Sequence, residues 1–118
     1  MPATAITPVK LKLNIASVYP TLQAVDPTDG AVINMAGVAD QKCLIILQNG
    51  TTGTKTATIV AGNAIQGVGD LAVSLSDNQI KCIRVDSGRF QNATGANKGK
   101  IIVKGTDNNV KVGCVVLP

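Results

Sequence analysis

Gly67-Val68-Gly69-Asp70-Leu71-Ala72 has the spacing of a dinucleotide-binding loop, with alanine in the last position. That loop works by presenting a pyrophosphate to the N-terminus of a following helix. Here the glycines run into Leu71-Ala72-Val73-Ser74-Leu75, whose period of two marks a strand. The glycines therefore read as a sharp loop, and no cofactor is expected. Cys43, Cys82 and Cys114 stand 39 and 32 positions apart, and the chain has no histidine. Thiolate metal sites use close cysteine pairs, so no metal is expected either. Ser87 or a cysteine acting as nucleophile would need a base beside it, and the common base is missing.

The acids are all aspartates: Asp26, Asp29, Asp40, Asp70, Asp77, Asp86 and Asp107. Each lies at or next to a turn signal, where a short carboxylate bonds nearby backbone amides. A carboxylate pair acting as acid and base is the one enzymatic alternative, and the reading is a protein with no catalytic residue. The basic residues gather late, at Arg84, Arg89, Lys98, Lys100, Lys104 and Lys111. Strand alternation sets Lys100 and Lys104 outward, near Arg89 and Lys98 of the preceding loop. A nucleic-acid patch of this kind adds aromatic platforms for base stacking. Tyr19 and Phe90 are the only aromatic residues, so a solvated or protein-docking face is the better reading.

These residues sit on a chain of strand-like pieces separated by turns. Val9-Lys10-Leu11-Lys12-Leu13-Asn14-Ile15 alternates without a fault and reads as a half-buried strand. Tyr19-Pro20, Asp26-Pro27 and Asp29-Gly30 then make a long irregular connection. Ala31 to Met35 is a short strand, and Lys42 to Gln48 is apolar on both faces, as in a strand covered on both sides. Asn49-Gly50 and Gly53 frame a hairpin turn into Lys55 to Ala61. Leu71 to Leu75, Gln79 to Asp86, Lys100 to Lys104 and Val110 to Val116 follow, with turns at Asp77-Asn78 and Asp107-Asn108-Asn109. About eight short strands with this spacing predict a single antiparallel β-sandwich or small barrel over 8–118. The first seven residues, small and Pro-flanked, read as a flexible arm (1–7). The inward set is Leu11, Leu13, Ile45, Leu47, Ile59, Leu71, Val73, Ile83, Val103, Val112 and Cys114.

Composition agrees with one β domain. The chain has 118 residues, 45% hydrophobic and 15% charged, with a net charge of +4. That size supports an independent core without staples, and the apolar content argues against disorder. Each cysteine falls within an apolar strand, so all three read as buried free thiols. No apolar run has the length of a membrane span. The N-terminus has no basic stretch leading into an apolar one, which points to folding in a cytoplasm.

From Leu44 onward the order of pieces resembles small proteins encoded among the head genes of tailed bacteriophages. The pieces are Leu44-Ile45-Ile46-Leu47-Gln48-Asn49, then Ala57-Thr58-Ile59-Val60-Ala61-Gly62, then Gly69-Asp70-Leu71. Ser87-Gly88-Arg89-Phe90 follows, and Val115-Val116-Leu117-Pro118 closes the chain. The resemblance covers about two-thirds of the chain, mostly after Asp40, and carries over no catalytic residue. It implies a virion structural protein, foremost a decoration (cement) protein on the capsid surface, assembled in the bacterial host cytoplasm. The implied partner is the major capsid protein lattice, with copies gathered as a trimer and the N-terminal arm ordering on docking. Another virion part, a head-completion or tail component, is the alternative, with a nucleic-acid-binding β-barrel behind it.

Overall fold

The computed structural model describes residues 3–35, 42–63, 69–85, 90–92, 94–95 and 98–118. Ten strands make two sheets: β1 (Thr4–Ile6), β2 (Val9–Lys10), β3 (Gln23–Ala24), β4 (Ala31–Asn34), β5 (Cys43–Asn49), β6 (Lys55–Ile59), β7 (Leu71–Leu75), β8 (Ile80–Ile83), β9 (Lys100–Gly105) and β10 (Val110–Val116). One sheet has the order β1-β4-β9-β6-β7, and the other has β2-β10-β5-β8 with β3 also on β10. The all-β expectation holds. The sheets are not closed into a barrel, so of the two expected forms the sandwich is the compatible one.

Pairing is not purely antiparallel. β1 runs parallel to β4, with Thr4 opposite Ala31 and Ile6 opposite Ile33. β2 runs parallel to β10, with Val9 opposite Val115. Between them only Thr7 and Pro8 carry the chain from the edge of one sheet to the other. This corrects the flexible arm: residues 4–6 are an edge strand, and Ile6 is sealed in the core at 3% exposure. Met1 and Pro2 lie outside the described residues.

The seven-residue strand at Val9 to Ile15 is also corrected. Pairing stops after Lys10, because Ile15 N–H turns back toward the Lys12 carbonyl and Asn14 takes a left-handed φ of 61°. Asparagine tolerates that conformation better than most side chains. Leu11 is half-buried and Leu13 is 75% exposed, so Leu13 does not belong to the core.

The hairpin expected at Asn49-Gly50 is corrected, since this turn and those at Asp77-Asn78 and Asp107-Asn109 are corners between sheets. β5 lies in one sheet and β6 in the other, and the same holds for β7 with β8 and for β9 with β10. Three of these corners meet at one end. Gly50 N–H donates to Asn109 O at 2.9 Å, and Asn78 N–H to Thr51 O at 3.0 Å. Asp77 accepts from Gly53 N–H at 2.7 Å, and Lys55 bridges to Asp107 at 2.8 Å.

Asn49 stands at the centre of that end with no exposed surface. Its amide nitrogen donates to the carbonyls of Gly53 (2.7 Å), Ser76 (3.1 Å) and Leu75 (3.3 Å), and its oxygen accepts from Thr51 N–H (3.1 Å). A buried amide is tolerated only when so satisfied. It ties the end of β5 in one sheet to the end of β7 in the other.

Aliphatic side chains fill the space between the sheets, as period-two alternation dictates. Ile45, Leu47, Ile59, Val103, Val112 and Cys114 are buried as expected, and Leu71, Val73 and Ile83 pack partly buried against them. Phe90 joins this core at 2% exposure. Cys82 departs from the expectation of buried thiols. β8 is an edge strand, and Cys82 opposite Ile46 faces away from the core into solvent.

Candidate docking surface

The outer face of β5 and β10 explains why β5 is apolar on both sides. Ile46 and Val115 point away from the sandwich core yet are 3% and 8% exposed. Pro20 is buried, and Leu22 lies so close to Gly113 that a Cβ there would meet Leu22 Cδ2 at 2.4 Å. The irregular segment between β2 and β3 therefore packs onto this face, with Gly113 leaving it room.

That segment is held at both ends by one strand. Leu11 N–H donates to Val116 O at 2.8 Å, next to the β2–β10 pairing. At the other end, Gln23 and Ala24 pair antiparallel with Val112 and Lys111. The middle is left outside. Leu13, Ile15, Val18 and Tyr19 are 75%, 61%, 87% and 63% exposed. They are four of the six large apolar side chains found exposed among the described residues, the others being Ile80 and Leu117. Single exposed apolar residues are ordinary, whereas four within seven positions on a pinned loop make this segment the candidate docking element. Exposed Lys10 and Lys12 flank it.

Of the late basic residues, Lys111 lies apart from the candidate patch on β9. Lys100 and Lys104 both point outward from β9, half-buried and exposed respectively. Lys111 points outward from β10, in the other sheet, so the two sets sit on opposite faces of the sandwich. Lys98 is exposed in the loop before β9. Arg89 and Ser87 lie outside the described residues, as do Asp40, Asp86 and the Gly67-Val68 part of the glycine loop.

Asp26, Asp70, Asp77 and Asp107 each accept a backbone N–H, and Asp107 also accepts from Lys55. Asp26 accepts from Asp29 N–H at 2.8 Å and Thr28 N–H at 3.1 Å, and these bonds hold its carboxyl below the usual range against the opposing effect of burial. The hydrogen bond from Lys55, with help from Asn109 N–H, does the same for Asp107. Among the described residues no group of three metal-ligating side chains comes together. No helix of the described residues is long and apolar enough to cross a membrane.

The pieces that carried the resemblance touch one another. Asp70 of Gly69-Asp70-Leu71 accepts from Ala61 N–H at 2.7 Å. A Cβ on Gly62 would meet Gln91 O at 2.4 Å and the Phe90 carbonyl carbon at 3.0 Å. The Ala61-Gly62 piece thus touches both Asp70 and the Phe90-Gln91 backbone, with Gly62 required by the close approach and Asp70 by its hydrogen bond. No protein-family model, curated protein or solved structure matches the chain.

Sequence reasoning placed Leu13 in the core and gave Val18 and Tyr19 no role. A signal was present: seven alternating residues from Val9 to Ile15, of which the fold pairs Val9 and Lys10 in a strand.

Proposed function

We propose that this protein is a non-enzymatic bacteriophage virion component, a capsid decoration protein that docks on the outside of the head and stabilises it. The observation that carries the reading is the apolar loop of Leu13, Ile15, Val18 and Tyr19, pinned to β10 at both ends and left in solvent. The head-gene resemblance supports the choice of partner. The rigid β scaffold supports a role that needs no moving parts.

The mechanism is passive. Each copy lays its loop across neighbouring coat subunits, and because it binds the assembled shell it favours that state by mass action. Copies gathered around a local three-fold axis would add avidity. β1 belongs to the fold, so the loop, and not the N-terminal segment, is the element assigned to docking.

Co-sedimentation tests this. The protein should pellet with purified heads of the phage that encodes it, and bind free coat subunits and DNA weakly. Leu13→Asp combined with Val18→Asp should abolish pelleting while the strand-rich circular-dichroism spectrum persists, because both side chains are already in solvent. Retention of full binding by that variant would overturn the assignment of the loop. Absence of the protein from purified heads would overturn the reading as a whole. Many copies per particle would favour decoration, whereas a single ring of copies would favour a head-completion or tail component.

A further inference from the structure

We propose that Cys43 and Cys114 are a dithiol site that hydrogen peroxide converts into a disulfide, locking β5 to β10. This does not depend on the proposed capsid role. The two strands run antiparallel, with Cys43 opposite Val116 and Cys114 opposite Ile45. The cysteines are therefore diagonal neighbours on the inward face. Their sulfurs lie 2.8 Å apart, and the side chains are 3% and 0% exposed. A disulfide needs about 2.05 Å between sulfurs, so the two sulfurs already lie within about 1 Å of bonding distance.

Cys82 cannot take part. It lies opposite Ile46, on the other face of the same sheet. The two sulfurs share one hydrogen bond in which either can be the donor, so one can carry the negative charge while the other keeps its proton. Cys43 is assigned as the attacking sulfur because it opens β5 directly after exposed Lys42, whereas Cys114 lies inside β10.

The Cys43 thiolate attacks the peroxide, the O–O bond breaks, and a sulfenic acid and hydroxide form. The hydroxide takes the proton released from Cys43 and leaves as water. The Cys114 sulfur then attacks the sulfenic sulfur, and the expelled hydroxide takes the Cys114 proton. Two thiols and one peroxide give one disulfide and two waters.

The closed loop joins positions 71 apart. By chain entropy such a loop lowers the unfolding equilibrium constant on the order of a thousandfold.

The test uses the full chain, purified with reductant and then treated with hydrogen peroxide. Thiol titration in denaturant should fall from three groups to one, and intact mass should drop by two hydrogens. Peptide mapping should recover a Cys43–Cys114 cross-link. The denaturation midpoint should rise, and a dithiol reductant should return it. In Cys82→Ser the same treatment should leave no titratable thiol, and this variant alters no core position. Three thiols remaining after treatment would overturn the proposal. So would a sulfinic adduct on Cys43 without a cross-link, or dimers joined through Cys82 with the buried pair still reduced.

Discussion

Replacing Asn49 by alanine removes a fully buried side chain that ties the two sheets together through hydrogen bonds at the corner end. The amide makes four such bonds, three to carbonyls and one from Thr51 N–H, and has no exposed surface. A typical bond contributes about 1 kcal/mol net, and a buried group left unpaired costs about 1–3 kcal/mol. Taking one net bond lost and one buried carbonyl left unpaired, with the other partners re-solvated at the corner, gives about 2–4 kcal/mol for Asn49→Ala. With a urea m-value of about 1.5 kcal/mol per molar, the midpoint should fall by about 2 M while m stays unchanged. Asn49→Asp keeps the shape but turns a donor toward three carbonyls into an acceptor. The introduced carboxylate should have a raised pKa, so its penalty is full at neutral pH and relaxes as pH falls below that value. Paired urea titrations at neutral and mildly acidic pH measure this. A midpoint shift below about 0.5 M for Asn49→Ala, or an Asn49→Asp penalty that does not shrink on acidification, would refute the reasoning.

Three further outcomes follow from other parts of the fold. Gly30→Ala should destabilise by about 2–4 kcal/mol in urea unfolding, since Gly30 has a φ of 77° and its new Cβ would meet Val103 O at 2.4 Å. Deleting residues 1–7 should cost about 3 kcal/mol by the same assay, because it uncovers the site of Ile6 and strips the pairing from Ala31 to Ile33. The lowered carboxyls of Asp26 and Asp107 contribute stability that is full above the ordinary value of 3.8 and is lost as pH falls through their lower folded values. Acid titration of stability should therefore be shallower in Asp26→Asn than in the natural chain.

Strand positions were legible where a segment is paired along both edges and buries one face. Ile101 and Val103 alternate with outward Lys100 and Lys104 because β9 sits between β4 and β6. Alternation reports a face, however, and not which sheet carries it. Asn49-Gly50 and Asp107-Asn108-Asn109 have the composition of hairpin turns, yet they turn corners from one sheet to the other. Turn chemistry reads the local reversal of the chain, while the choice of partner strand is set by long-range packing. The N-terminal strand was missed for the same reason. Thr4-Ala5-Ile6 is too short to show a period, and its order comes from β4 alongside it.

Leu13 illustrates a different limit and bears most directly on function. Its pattern is that of a core-facing strand residue, and the physical rule behind that reading assumes the apolar face is covered by the same chain. In the fold, β10 already receives β2 and β3 on one side and β5 on the other, so no strand position is left for residues 11–15. Leu11 closes the pairing through Val116 O, and the chain then bows outward until Pro20 and Leu22 return to the sheet over Gly113. The intervening apolar side chains are unsatisfied within one molecule. Their alternation is what a docking partner would complete, and the pinned ends lower the ordering cost because the loop is anchored before it binds.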